Sequence, residues 1–165
     1  MDMLELSPVV DAAGVQTVCR VADAIWREHY AAILDPGQID YMLATFQSPG
    51  AVQEQIEQGY FYYLFLWEGA PVGYLSIHPE KDRLFLSKLY VDKAHRGHGI
   101  ARSALRFLKG LCREEGLASI YLTVNKHNAH SIEAYKRLGF VKAREQTVDI
   151  GNGYVMDDYV MEKSV

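Results

Sequence analysis

Apolar residues recur every three or four positions through Val15, Val18, Cys19, Ala22, Ile25 and Trp26, and Asp11 stands where a helix cap belongs. The pattern predicts a first amphipathic helix. Leu34-Asp35-Pro36-Gly37 interrupts it, Ile39, Met42, Leu43 and Phe46 predict a second, and Ser48-Pro49-Gly50 interrupts again before a third from Ala51 to Gln58. The period then shortens. Tyr60–Trp67 and Ala70–Ile77 read as a hairpin turning at Glu68-Gly69, and Arg83–Val91 as a third strand after the polar stretch Pro79–Asp82. A long helix follows, with Ile100, Ala104, Leu108 and Leu111 in one row and Ala101, Leu105, Phe107 and Cys112 beside it, a face expected to pack on the sheet. Ala118–Val124 is a strand, Asn128 caps a helix ending at Leu138-Gly139, and Phe140–Ile150 and Tyr154–Lys163 form a closing hairpin around Gly151-Asn152-Gly153. The unit strand–helix–strand from Arg83 to Val124 requires a parallel pair. The class is therefore α/β with a mixed sheet.

The 165 residues fit a single domain, 1–165, without linker or repeat. The apolar run Tyr60–Trp67 is too short to cross a bilayer, and the chain reads as soluble. Asp2 and Glu5 stand where a signal peptide carries base, and Cys19 and Cys112 sit within helical patterns, so a reducing cytoplasm is the expected setting. Seventeen Lys and Arg against 21 Asp and Glu give a net charge of −4, which argues against nucleic acid as a partner. Against that background Arg96, His98, Arg102, Arg106 and Lys109 cluster at one turn and the helix after it, as a compact polyanion requires.

That turn is Val91-Asp92-Lys93-Ala94-His95-Arg96-Gly97-His98-Gly99-Ile100-Ala101, a strand end running into a helix start. Successive N–H groups at Gly97, His98, Gly99, Ile100 and Ala101, with the positive end of a helix behind them, suit a phosphate. A Walker loop would need Gly-Lys-Ser/Thr where Ala101-Arg102-Ser103 stands. A dinucleotide fingerprint would need a third glycine at Arg102 and an acidic residue about twenty positions on, and Leu117–Val124 carries none.

Arg96, two free positions, Gly99, one free position and Ala101 resemble motif A of the GCN5-related N-acetyltransferases (GNAT). Asn128-Ala129-His130-Ser131-Ile132-Glu133-Ala134-Tyr135-Lys136-Arg137-Leu138-Gly139-Phe140 is similar to the family's motif B, in the expected order with a strand between. The resemblance implies the GNAT fold, a splayed mixed sheet of six to seven strands flanked by helices. It implies acetyl-CoA as donor, lying between the strand ending at Val91 and the one ending near Val124. Backbone groups of Leu89 and Val91 would bond the pantetheine as an added strand does, and residues Arg96–Ala101 would hold the pyrophosphate. Tyr135 would protonate the departing thiolate, Asn128 would lie near the pantetheine arm, and the Val91 N–H would face the oxyanion.

Ser87 stands where many relatives carry a glutamate base; His78, His29, Asp157 or a chain of waters are the remaining expectations. The pairs His95/His98 and His127/His130 lack cysteine or carboxylate partners at ligand spacing, so no metal is expected. His29-Tyr30, Gln38-Ile39 and Tyr41-Met42-Leu43, with Tyr154–Met161, resemble the small-amine branch typified by polyamine acetyltransferases of the PaiA type. His29, Tyr30, Tyr41 and Lys88 are then the candidate acceptor residues. The expected reaction moves acetyl to a primary amine of a small molecule, polyamine-like or amino-acid-like. A protein N-terminus or lysine as acceptor, or a non-catalytic acyl-CoA sensor, are the alternatives, and either a monomer or a homodimer fits the final hairpin.

Overall fold

Alternating and continuous apolar strands assemble into one seven-stranded sheet in the order β1-β2-β3-β4-β5-β7-β6. The computed structural model describes residues 3–165, so Met1 and Asp2, where the acidic start of the chain was read, lie outside it. Along the chain run β1 (Leu4–Pro8), α1 (Ala12–His29), α2 (Pro36–Phe46), α3 (Pro49–Glu57), β2 (Phe61–Trp67), β3 (Ala70–Pro79), β4 (Arg83–Val91), α4 (Ile100–Glu115), β5 (Ser119–Asn125), α5 (Ala129–Arg137), β6 (Val141–Gly151) and β7 (Tyr154–Ser164). All neighbouring strands are antiparallel except β4 and β5, which the crossover through α4 makes parallel.

Each sheet face has its own core. Val18, Ala22 and Trp26 of α1, with Met42 and Leu43 of α2, pack on Tyr62, Leu64 and Tyr74. On the other face Ile100, Ala104, Leu108 and Cys112 of α4 pack on Leu75, Ile77, Leu84, Leu86, Ile120 and Leu122. Leu84 and Leu108 are both fully buried, and each such side chain contributes about 1.5–3 kcal/mol by leaving water. Phe107, expected beside that row, is instead 39% exposed, its ring resting edge-on against Tyr63 at 5.2 Å.

Three details depart from the sequence pattern. Pro36-Gly37 and Pro49-Gly50, read as interruptions, are the first turns of α2 and α3, because proline fits the first helical position and its missing N–H is not needed there. Ser48 caps α3, its Oγ accepting from the Ala51 N–H at 3.3 Å. The short edge strand β1 was not foreseen; it pairs antiparallel with β2 from Leu4 opposite Trp67 to Pro8 opposite Tyr63.

The third detail builds the site. Ser76 of β3 faces Lys88 while Ile77 faces Leu86, so Ser87 is an extra residue bulged out of β4. Leu84 and Leu86 pack into the α4-side core before the bulge, and Leu89 and Val91 do so after it. Tyr90 is thereby turned to the opposite face, into the core beneath α1. β5 pairs with β4 only at Arg83, Leu84 and Phe85, opposite Ser119, Ile120 and Tyr121. Beyond Phe85 the two strands part.

Candidate active site

A cavity of about 590 Å³ opens where β4 and β5 separate and runs out over the start of α4. Leu89, Tyr90 and Val91 form one wall, Arg96, Gly97, Gly99, Ile100, Ala101 and Arg102 one end, and His130, Ser131, Ala134, Tyr135, Arg137 and Leu138 the other wall. A second space of about 50 Å³ adjoins it deeper between the strands, lined by His29, Tyr30, Lys88, Asn125, Asn128 and Tyr135 among others. The free edge of β4 past Phe85 leaves backbone donors and acceptors that no strand satisfies, a template for an extended amide-bearing ligand.

The glycine turn is held in a shape few residues tolerate. Gly97 and Gly99 have φ of +84° and +77°, and Gly99 is the N-cap of α4. Asp92 fixes the preceding turn, accepting from the His95 N–H at 3.0 Å, with His95 Nδ1 2.6 Å from the same oxygen. Arg96 donates from Nε to the Val91 carbonyl at 3.0 Å and from Nη2 to Glu28 of α1 at 2.7 Å. The turn is thus tied both to the end of β4 and to the helix on the opposite face. With Arg102 and Arg137 also on the cavity wall, an elongated ligand finds cationic side chains and free helix N–H groups at one end.

At the other end three phenols and an imidazole converge. Tyr135 lines both spaces, its ring edge-on to Phe140 at 5.8 Å, and burial pushes its phenol well above the ordinary value, so it is protonated at neutral pH. Tyr30 and Tyr90 share a hydrogen bond of 2.8 Å between their hydroxyls. Asn128 accepts from the Ser131 N–H at 3.2 Å, capping α5, and its Nδ2 lies 2.8 Å from His29 Nε2. Burial, and then the Arg96 charge, lower the His29 pKa. A neutral ring accepting the Asn128 amide at Nε2 carries its proton on Nδ1. Lys88 donates to Ser87 Oγ at 3.0 Å and to the Ser87 carbonyl, and burial lowers its pKa to about 8.

Of the residues singled out in the sequence, Leu89, Val91, Arg96, Gly97, Gly99, Ile100, Ala101, Tyr135 and His29 line the larger cavity, and Asn128, Tyr30 and Lys88 the smaller. Two sit apart from both linings. The His98 ring stacks on Trp67 at 5.0 Å, and the Tyr41 hydroxyl donates to the Ile150 carbonyl at 2.7 Å, tying α2 to the β6–β7 hairpin. Among the expected bases, His78 stacks on Tyr60 at 4.5 Å, and Asp157 is engaged by Lys126 at 2.8 Å and Thr147 at 3.0 Å. Tyr90, His130 and Arg137 were not foreseen as lining residues. The strand alternation predicts no facing for Tyr90, because the bulge at Ser87 resets it.

The family model for the acetyltransferase (GNAT) family matches residues 20–140. The chain belongs to that family. It is an acetyl-CoA-dependent N-acetyltransferase by family, and the splayed seven-stranded sheet is the GNAT fold. A probable spermine N(1)-acetyltransferase from Bacillus subtilis subsp. natto is 28% identical over 128 residues, 71% of this chain and 84% of that protein. Streptothricin acetyltransferase from Streptomyces lavendulae is 40% identical over 59 residues, 36% of this chain and 31% of that enzyme. The crystal structure of the PaiA N-acetyltransferase from Thermoplasma acidophilum in complex with coenzyme A superposes with a TM-score of 0.81 over 100% of both chains at 18% identity. No helix among the described residues is long and apolar enough to cross a membrane.

Proposed function

We propose that this GNAT domain, residues 1–165, acetylates a primary amine of a small molecule, polyamine-like or amino-acid-like, by direct attack within a ternary complex. The observation that carries the acceptor class is the narrow space behind the strand gap, lined by His29, Tyr30, Lys88, Asn128 and Tyr135 among others. Tyr41 of α2 bonds Ile150, and Gln38 Nε2 donates to the Val155 carbonyl at 2.9 Å, so α2 and the last hairpin are strapped together. The space left behind the strand gap is only about 50 Å³. Such a site admits a slender amine more readily than the open groove a folded protein substrate needs. The similarity to a probable spermine acetyltransferase supports the same class. Cys19 and Cys112 are both free thiols, which suits a cytoplasmic setting.

In the reaction, pantetheine amides add to the free edge of β4 and place the thioester beside Tyr135. The amine nitrogen attacks the carbonyl carbon, and a C–N bond forms as the oxyanion is met by a backbone N–H of β4, Val91 being our assignment. Collapse breaks the C–S bond, and Tyr135 donates its proton to the thiolate. A phenol raised by burial stays protonated until a charged sulfur forms beside it. The direct test is thiol release from acetyl-CoA in the presence of spermine, amino acids, aminoglycosides and N-terminal peptides, with the acetylated product identified by mass. Turnover with small amines and none with peptides is expected. Preference for peptides overturns the acceptor class, and acetyl-CoA binding without turnover on any amine supports the sensor alternative.

A further inference from the structure

Among the described residues, Ser76 Oγ and Asp158 Oδ1 are buried without a hydrogen-bond partner. An unanswered hydroxyl is a modest loss, whereas an unanswered carboxyl oxygen in a buried place calls for a proton or a cation. Asp158 is only 6% exposed. It stands on β7 directly opposite Asn125 of β5 and Gln146 of β6. Opposed residues of an antiparallel pair share a face, and Asn125 lines the small space in the strand gap together with Tyr30 and Lys88. Tyr30 lies near enough that, after burial, the Asp158 charge helps raise its phenol to about 12. The carboxyl therefore shares a sheet face with Asn125, one residue behind the lining of that small space.

Lys88, a cation on the lining of that small space, donates to Ser87 Oγ at 3.0 Å. Burial, and then the neighbouring Asp157 charge, raise the Asp158 pKa to about 6, while Lys126, bound to Asp157 and Glu145, opposes only in part. The Tyr30 and Tyr90 hydroxyls are bonded to each other.

Resting on the acetyl-transfer reading above, we propose that Asp158 receives the acceptor's ammonium group and takes a proton from it. A carboxylate with a free oxygen supplies the hydrogen-bond acceptor and the charge that a primary ammonium requires. Of the two N–H protons the ammonium loses on becoming an amide, one passes to Asp158 and on to solvent. The other leaves nitrogen as the tetrahedral intermediate collapses and replaces the proton Tyr135 gives to the thiolate. The C–N bond forms, the C–S bond breaks, and coenzyme A departs as the thiol.

The isosteric variant Asp158→Asn tests this in the full chain, with coenzyme A and acetyl-CoA as donor probes and spermine and n-butylamine as amine probes. Coenzyme A affinity is expected to be unchanged and the melting temperature to rise, because a buried unpaired charge is removed. Amine-dependent thiol release is expected to fall by about 100-fold, and the acid limb of the pH–rate profile near 6 to disappear. Calorimetric binding of n-butylamine to the coenzyme A complex should weaken in parallel. Equal rates, or equal amine binding where no turnover is seen, overturn the Asp158 role while leaving acetyl transfer standing. A wild-type protein that binds no acetyl-CoA overturns the acetyl-transfer reading itself, and this role with it.

Discussion

Tyr135 and Lys88 line the same narrow space, and burial acts on them in opposite ways. It holds the phenol protonated, so Tyr135→Phe should leave acetyl-CoA affinity intact and lower turnover by about tenfold or more; an unchanged kcat removes Tyr135 from proton transfer. For the ammonium, burial lowers the pKa from 10.5 to about 8. Below about 8 Lys88 is charged in both the folded and unfolded chain, and its desolvation weighs against folding by a constant amount. Between about 8 and 10.5 the unfolded chain holds a proton that the folded one does not, so stability rises with pH over that window. Lys88→Met should therefore melt a few degrees higher than wild type at pH 7, with the difference shrinking as the pH is raised; a gap that stays constant with pH contradicts this. The placement of Arg96, Asn128 and Tyr135 around the strand gap was legible in the sequence because each is fixed by near neighbours within its own motif. Asp158 was not, since Asp157-Asp158 shows two adjacent carboxylates and only the packing of β7 decides which is buried and which meets Lys126.

The bulge at Ser87 and the left-handed turn before α4 are what make a site out of a regular sheet. Strand β4 and helix α4 were both readable from period and glycine placement, and their parallel relation to β5 followed from the crossover. The bulge was not readable, because Ser87-Lys88 resembles ordinary alternation until the register against β3 is known. β1 escaped for a related reason: five residues at a sheet edge carry too little alternation to separate from a loop. A glutamate at Gly99 adds a side chain at φ +77° and a negative charge facing the expected pyrophosphate. Gly99→Glu should abolish coenzyme A binding measured by calorimetry while the far-ultraviolet circular dichroism stays that of the wild type. Unchanged affinity would move the anion site elsewhere.

Across the whole molecule, the larger and the smaller space meet at the gap in one sheet, sharing His29, Leu89, Tyr90, Ser131 and Tyr135. Arg96 reaches Glu28 of α1 from the glycine turn, and Tyr41 and Gln38 of α2 tie that helix to the β6–β7 hairpin. Loss of the Tyr41 bond in Tyr41→Phe should cost about 1 kcal/mol of stability, read as a lower denaturation midpoint with acetyl-CoA affinity unchanged; an unchanged midpoint contradicts it. The central claim is that the pantetheine completes the sheet where β4 leaves β5. Amide hydrogen exchange with and without coenzyme A reads this directly. Slowed exchange in residues 86–91 and 96–101, with no change in β2, is the predicted result; unaltered exchange along β4 in protein saturated with coenzyme A would contradict it.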